Sequence, residues 1–300
     1  MSKKHRFDED RFIVKPGNKL NLAKLPTVAG KELADQGQGI EALAGDVTAL
    51  HEAQSRLYAN DRVALLVILQ GMDASGKDGI IRHVMSGVNP LGCRAYAFKA
   101  PSAAELEHHF LWRTGPYLPE KGMISLFNRS YYEEVIVVRV HPEFLQPQRI
   151  AKLKSLKPKS LEKLWDQRFR EINAFERSLV SHGTLILKFF LNVSKSAQKD
   201  RFLERLKEPE KHWKFNPRDI EERKLWANYR KAYEEALANT STKWAPWYVI
   251  PGDDKWYARA AIADIIAAKL EGKAIDYPKI TRQQQEQFAK IAEELNREAS

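Results

Sequence analysis

A short apolar run followed at once by a glycine-rich loop constrains this chain more than any other part of its sequence. Residues 63–69 are continuously apolar, which is typical of a strand buried on both faces of a parallel sheet. Residues 71–79 form the loop Gly-Met-Asp-Ala-Ser-Gly-Lys-Asp-Gly, and Ile80, Ile81 and Val84 then have helical spacing. A strand, a glycine-rich loop with a lysine and a helix, in this order, predict a phosphate-binding loop in an α/β protein.

The loop of residues 71–79 can bind phosphate through its backbone and one side chain. Its glycines let successive backbone N–H groups converge on an anion, and the following helix adds the positive end of its dipole. Lys77 can reach a phosphoryl group. The candidate phosphate-binding residues of the loop are Gly71, Ala74, Ser75, Gly76, Lys77, Asp78 and Gly79.

Two acids distinguish this loop from the usual pattern. A serine or threonine that holds Mg²⁺ normally follows the lysine, whereas this chain has Asp78 there and a further acid at Asp73. A carboxylate repels bare phosphate, so we interpret Asp73 as a metal ligand or as a base for an incoming phosphoryl acceptor. Asp78 can instead be an acid that stabilises the first turn of the helix.

Four more apolar segments predict the rest of a sheet, at residues 95–98, 123–127, 185–191 and 247–250. Helical patterns separate them, which favours a three-layer α/β fold with a five-stranded parallel sheet. The predicted helices run from about 40 to 60, 102 to 113, 135 to 140, 161 to 179, 216 to 239, 261 to 270 and 281 to 296. We treat 1–300 as one domain with an N-terminal arm (1–39) and a C-terminal helical extension (272–300).

A second polar segment, residues 128–134, follows the strand predicted at 123–127. The carboxyl ends of parallel strands meet at one edge of a sheet, so Asn128 and Arg129 should face the glycine-rich loop. The forked guanidinium of Arg129 can then bind a phosphate and stabilise charge on the group in transfer. A surface arginine in an ion pair is the alternative interpretation.

A basic and aromatic stretch runs from Arg201 to Arg218. Positive charges on a mobile segment can close over a polyanion and exclude water, which predicts a lid at about residues 205–220. A solvated helix face is the alternative. The candidate polyanion-binding residues in and beyond this stretch are Lys211, Lys214, Arg218 and Arg223.

The overall composition favours an anionic partner in a reducing compartment. The 49 Lys and Arg outnumber the 39 Asp and Glu, for a formal net charge of +10. The single cysteine, Cys93, cannot form an internal disulfide or a thiolate metal cage. The longest apolar run is too short to span a bilayer and the start of the chain is charged, so we expect a cytoplasmic protein with no membrane partner. Without a recognisable RNA- or DNA-binding motif, no specific nucleic-acid partner is expected.

Four ordered motifs make the chain resemble the polyphosphate kinase 2 family, at residues 71–79, 128–133, 213–219 and 244–249. The resemblance covers roughly residues 20–271. It implies a P-loop kinase fold similar to that of thymidylate kinases, with a helical lid. It also implies Mg²⁺ as cofactor, phosphoryl transfer between inorganic polyphosphate and the nucleotides AMP, ADP and ATP, and a homo-oligomer, either a dimer or a tetramer.

The second motif resembles one subclass of that family. The commoner subclasses have a pattern like Asp-Arg-Ser-Trp-Tyr-Asn, whereas this chain has Asn128 in place of the aspartate and Glu133 in place of the asparagine. The arrangement is similar to class III members, which phosphorylate both AMP and ADP. The resemblance implies Asp73 as the metal ligand or the carboxylate on the acceptor side, and Glu133 as the displaced acid near the metal or the acceptor phosphate, so both are candidate metal ligands. It implies Lys77 and Arg129 as phosphate clamps.

The expected reaction is therefore transfer of the terminal phosphoryl group of polyphosphate to AMP and to ADP, giving ADP and ATP. Asn128 completes the expected catalytic set. An ATP-dependent nucleoside monophosphate kinase would share the loop and the lid and is one alternative. A nucleic-acid-binding P-loop NTPase is the other.

Overall fold

A computed structural model describes residues 5–151, 153–273 and 275–298 of the chain. Its strands are β1 (Ala64–Gly71), β2 (Cys93–Ala97), β3 (Ile124–Asn128), β4 (Thr184–Asn192) and β5 (Trp247–Pro251). They form one parallel sheet in the order β2-β3-β1-β4-β5. All five predicted strands are confirmed, with ends shifted by at most two residues.

Ten α-helices connect and flank the strands over the described residues. They are α1 (Gln36–Asn60), α2 (Lys77–Val84), α3 (Ala103–Leu106), α4 (Val137–Val140), α5 (Pro158–Ser181), α6 (Lys195–Lys207), α7 (Arg218–Lys224), α8 (Trp226–Thr240), α9 (Lys255–Glu271) and α10 (Arg282–Glu298). None of these helices is both long and apolar enough to cross a membrane.

The central strand β1 shows why helices cover both faces of the sheet. All eight of its residues are buried. Successive side chains of a strand point to opposite faces, so Leu65 and Val67 pack into a core with α1, α2 and α9. Leu66 and Ile68 pack into a second core with α4, α5 and α8. The predicted three-layer α/β architecture is therefore confirmed.

Three predicted helices are wrong in extent, and one of them, predicted from residue 261, already begins at Lys255. The helix that begins after Ser102 has the expected capping box with Glu105, but it ends at Leu106 rather than at residue 113. Phe110 and Leu111, adjacent in sequence, both pack against the second core. In a helix they would point about 100° apart, and the histidines and aromatic residues here are poor helix formers.

The helix predicted from 216 to 239 is two helices, α7 and α8, separated at Leu225. Leu225 and Trp226 both pack on the second core. The residue at the N-cap of α7 is Pro217. The side chain of Asn216, directly before it, accepts a hydrogen bond from the Arg218 N–H at 3.0 Å.

The N-terminal segment packs along the edge of the sheet. Ile13 forms an antiparallel bridge with Tyr248 of β5, and the N–H of Val14 donates to the carbonyl of Trp247 at 2.9 Å. Phe7 and Phe12 are buried in the first core. The segment thus covers a strand edge that would otherwise present unpaired backbone groups.

Candidate active site

The phosphate loop between β1 and α2 has backbone angles that favour glycine at two positions. Gly71 has φ +154° and Gly76 has φ +106°, and a Cβ on Gly71 would lie 2.7 Å from the hydroxyl of Ser75. Ala74 also has a positive φ, of 58°. Non-glycine residues in this region carry backbone strain, which is typical of functional sites. The predicted turn from strand to helix is confirmed.

Lys77 lies under the loop rather than in solvent. It is 7% exposed, and its ammonium group donates to the carbonyls of Gly71 at 2.7 Å and Met72 at 3.1 Å. The pKa of Lys77 is lowered to about 8, first by burial and then by the neighbouring Arg129 cation, while the carboxylates of Asp73, Glu133 and Asp78 act in the opposite direction. A phosphate bound in the loop would supply the anion that this buried cation lacks.

Arg129 holds two carboxylates at the carboxyl end of β3. Its guanidinium lies 2.5 Å from an oxygen of Asp73 and 3.2 Å from an oxygen of Glu133. The carboxylates of Glu133 and Asp73 raise the pKa of Arg129 against the effect of burial. The structure thus brings the expected pair of acids to one point, with a cation between them.

Asn128 faces the other acid of the phosphate loop. Its side-chain amide donates to the carboxylate of Asp78 at 2.6 Å. Asp78 also lies in the first turn of α2, as its interpretation as a helix-stabilising acid requires. Both residues line the main cleft of the protein.

This cleft has a volume of about 710 Å³ and lies over the phosphate loop. Four acids line it, namely Asp73, Asp78, Glu204 and Asp219. The basic side chains of its lining are Lys77, Arg82, Lys99, Arg129, Arg201, Arg205, Lys211, Lys214, Lys255 and Arg259. Basic groups outnumber acids ten to four, so the cleft attracts anions.

The candidate polyanion-binding residues near the predicted lid do not all lie at the cleft. Lys211 and Lys214, in a short 3₁₀ segment at Pro209–Lys214, line the cleft. Arg218 is exposed and is not among the lining residues. Arg223, further along the chain, lines a small cavity of about 30 Å³ together with Asp73, Arg129 and Glu133, and this cavity shares Asp73 and Arg129 with the main cleft. The structure therefore does not bring Arg218 together with the other candidates.

Arg201 supports the phosphate loop instead of belonging to a lid, which corrects its grouping with the basic stretch. Its guanidinium donates to the carbonyls of Ala74 and Ser75, both at 2.9 Å. It also donates to the carbonyls of Gly252 at 2.5 Å and Asp253 at 2.9 Å. One side chain on α6 thus joins the loop after β1 to the loop after β5.

Several cleft residues were not found by sequence reasoning. Arg82, Lys99, Lys255 and Arg259 come from α2, the segment after β2, and α9. Each stands alone in the sequence, and only the topology brings them to one edge. Their signal in the sequence is limited to the positive net charge.

A buried ionic network lies behind the second motif. Glu176 and Lys188 form an ion pair of 2.6 Å with no exposure of either side chain. The hydroxyls of Tyr131 and Tyr132 donate to Glu176 at 2.9 and 2.7 Å. These bonds fix the turn that carries Arg129 and Glu133 to the second core.

Comparison with known proteins gives consistent matches over nearly the whole chain. The family described as Polyphosphate kinase 2 (PPK2) matches residues 34–278. The ADP-polyphosphate phosphotransferase of Rhodopseudomonas palustris is 45% identical over 285 residues, covering 95% of this chain and 97% of that protein. The AMP/ADP-polyphosphate phosphotransferase of Meiothermus ruber is 43% identical over 269 residues, covering 89% and 95%. A crystal structure of Polyphosphate Kinase 2 from Arthrobacter aurescens TC1 matches with a TM-score of 0.83 and 36% identity, covering 94% and 95%.

Proposed function

Because this chain belongs to the polyphosphate kinase 2 family, we propose that it transfers the terminal phosphoryl group of inorganic polyphosphate to AMP and ADP. The products are ADP and ATP. Relatives named for this reaction with ADP, and with AMP and ADP, align over 95% or more of their own length.

The observation that carries the proposal is the charge of the main cleft. Ten basic and four acidic side chains line a space of about 710 Å³ that begins at the phosphate loop. The bases extend from Lys77 to Lys99, Arg259 and the 3₁₀ segment. A nucleotide presents one to three phosphates, whereas polyphosphate presents about one charge per phosphate along an extended chain. An extended basic surface suits the longer polyanion.

The transfer itself asks for positioning and charge stabilisation. A phosphate oxygen of AMP or ADP attacks the terminal phosphorus of polyphosphate, and the bond from that phosphorus to the bridging oxygen breaks. The shortened polyphosphate leaves with the electron pair of that bond. The acceptor phosphate is largely ionised at pH 7, since its second pKa is about 6, so no side chain has to remove a proton. This chemistry favours Asp73 as a metal ligand over Asp73 as a base.

Lys77 and Arg129 are the proposed phosphate clamps. Charge on a transferring phosphoryl group is spread over its non-bridging oxygens, and preorganised cations lower its energy. Lys77 is held by loop carbonyls, and Arg129 is held by two carboxylates. Both cations are therefore already placed at the site, and each exchanges part of these contacts for phosphate oxygens when the donor binds. The backbone of Gly71, Ala74, Ser75 and Gly76 supplies the remaining contacts of the loop.

Mg²⁺ fits the residues that the site offers. Asp73 and Glu133 direct hard oxygen ligands to one point, where Arg129 now contacts both. No group of three or more His, Cys, Asp or Glu that could hold a metal occurs within 5–151, 153–273 and 275–298. Mg²⁺ commonly takes one or two carboxylates and completes its shell with substrate phosphates and water. Bound there, it would neutralise charge on the phosphates.

Three further features of the enzyme belong to this proposal. The segment 205–220 acts as a lid, supported by Lys211 and Lys214 at the cleft. The chain forms a homo-oligomer, supported by α10, which exposes Phe288, Ile291 and Leu295. It works in the reducing cytoplasm, in keeping with the free thiol of Cys93. Light scattering of the purified protein tests the oligomeric state.

A nucleotide product assay tests the proposed reaction. The protein is incubated with Mg²⁺, sodium polyphosphate and either AMP or ADP, with no ATP added, and the nucleotides are separated by chromatography. We expect ADP and then ATP from AMP, ATP from ADP, and no product when EDTA removes the metal. Product formed from AMP only when ATP replaces polyphosphate would overturn the proposal in favour of an ATP-dependent kinase.

A further inference from the structure

The side chain of Gln198 connects two parts of the molecule that have different tasks. Gln198 lies on α6 and is 2% exposed. Its amide nitrogen donates to the backbone carbonyl of Asp73 at 2.8 Å, and its amide oxygen accepts from the guanidinium of Arg223 at 2.7 Å. One buried amide therefore contacts the phosphate loop on one side and α7 on the other.

The two partners of Gln198 frame the same small cavity. Asp73 and Arg223 both line it, together with Arg129 and Glu133. Asp73 belongs to the phosphate loop, whereas Arg223 lies on the helix with which the segment 205–220 returns to the body of the protein. A shift of α7 would break the bond to Arg223 and leave the buried amide oxygen without that partner, which is costly.

The helix that precedes the segment 205–220, α6, is also bound to the phosphate loop. Arg201 lies three residues after Gln198, on the same face of α6, and binds the carbonyls of Ala74 and Ser75. The cleft-lining lysines Lys211 and Lys214 lie between these two anchor points in the sequence.

We propose that Gln198 is a positioning residue that latches α7 to the phosphate loop, so that closure of the segment 205–220 and the placement of Asp73 form one event. The proposal rests on the proposed function. An amide is required because the contact needs a donor toward Asp73 and an acceptor toward Arg223. A carboxylate at this position would still accept the hydrogen bond from Arg223, but its second oxygen would face the carbonyl oxygen of Asp73 and repel it.

Two substitutions at position 198 and one control separate the latch from general packing. Gln198→Leu removes both hydrogen bonds, and Gln198→Glu, of nearly the same shape, removes only the donor. Gln167→Leu is the control, because Gln167 is exposed on α5 and donates to Glu171 at 2.7 Å. Circular dichroism confirms folding. If Gln198→Leu does not fold, Gln198→Glu carries the test.

The kinetic readout is the ratio of orthophosphate released from polyphosphate to nucleotide formed. A loosened lid admits water, so we expect this ratio to rise severalfold in both variants. The kcat for AMP should fall tenfold or more, since a small misplacement at a reacting centre is costly. Gln167→Leu should match the wild type in both measurements. A kcat and a ratio within twofold of the wild type in both Gln198 variants would overturn the latch.

A double-mutant cycle with Arg223→Leu tests whether Gln198 acts through that arginine. Removing Gln198 should cost much less in the Arg223→Leu background than in the wild type, because the contact is already lost. Fully additive effects would contradict the proposal.

Protease protection gives a readout that does not depend on turnover. Sodium polyphosphate should protect the wild type from trypsin at Lys211 and Lys214, and this protection should weaken in both Gln198 variants. Equal protection in the wild type and in both variants would contradict the latch. Failure of the proposed function is distinct, because it would appear as absence of nucleotide product in the wild type.

Discussion

Replacing Lys77 by methionine separates what this lysine contributes to catalysis from what it costs the fold. Burial lowers its pKa from 10.5 to about 8, which disfavours the charged form in the folded protein by about 3 kcal/mol. Methionine keeps an unbranched apolar side chain and removes this charge. The variant also loses the hydrogen bonds to two loop carbonyls, and this loss reduces the gain in stability from removing the charge by roughly 1–2 kcal/mol. We expect its free energy of unfolding at pH 7 to exceed that of the wild type by about 1–2 kcal/mol.

This gain in stability should depend on pH. Below pH 8, Lys77 is protonated in both the folded and the unfolded wild type, so the full cost of its burial is present. Between about pH 8 and 10.5 the folded chain loses this proton and the unfolded chain keeps it, so the wild type gains stability as the pH rises. The variant lacks this gain. The difference between the two proteins should therefore shrink toward pH 10, while contributions of other titrating groups cancel.

The same substitution should lower kcat/KM a hundredfold or more, because a charge contact in the transition state typically contributes ~3 kcal/mol. Urea unfolding followed by tryptophan fluorescence at pH 7 and pH 9.5 measures the stability. The nucleotide product assay with AMP and polyphosphate measures the activity. A folded variant with near-normal activity would refute the role of Lys77 in the loop. A stability difference that does not change with pH would refute the reasoning from burial.

Three more perturbations test other parts of the site. Changing Lys211 and Lys214 to alanine should raise the KM for polyphosphate about tenfold at low salt and leave the KM for AMP within twofold, since each exposed charge contributes up to about 1 kcal/mol. A KM for polyphosphate that is the same in the variant and the wild type at low salt, and that 0.5 M salt does not change in the wild type, would contradict this. Glu133→Asn should impair AMP and ADP phosphorylation unequally, and adding Asn128→Asp should restore Mg²⁺-dependent activity with a changed preference; unchanged kcat/KM for both acceptors would leave Glu133 as a helix acid only. Lys188→Met leaves a buried carboxylate without its cation and should lower the free energy of unfolding by about 3–5 kcal/mol in urea titrations; a loss below about 1 kcal/mol would contradict the importance of that pair.

The sheet could be predicted from sequence because most of its strands are short, largely apolar segments with helical patterns on either side. Buried parallel strands need continuous apolar residues, and residues 64–69 of β1 show this clearly, whereas the apolar run of β4 is interrupted by Lys188. Helix ends were harder to predict. The stretch that contains α7 and α8 has neither glycine nor proline between Arg218 and Asn239, so local propensity favours one helix. The break at Leu225 comes from tertiary packing on the second core.

The residues of the two loop motifs were predicted to lie together because both motifs follow strands of one parallel sheet. The structure confirms that Asp73, Arg129 and Glu133 meet. Arg201 could not be assigned correctly from sequence, since a basic residue near other basic residues looks like part of a charged surface. Its contacts are with backbone carbonyls of two loops that are distant in sequence, and no side-chain pattern records such a contact.

The contact between Asn128 and Asp78 gives a physical reason why the second motif carries its acid at Glu133 and not at position 128. The two side chains lie 2.6 Å apart and share a hydrogen bond in which the amide is the donor. An aspartate in place of Asn128 would set two carboxylates against each other, and both could remain ionised only with a cation between them. With asparagine there, the acid at Glu133 meets Arg129 and Asp73 instead. The end of β3 therefore places the Glu133 carboxylate at the small cavity that Asp73 and Arg223 also line, rather than beside Asp78 on α2. This displacement gives a physical reason to expect that acceptor choice depends on Asn128 and Glu133 together.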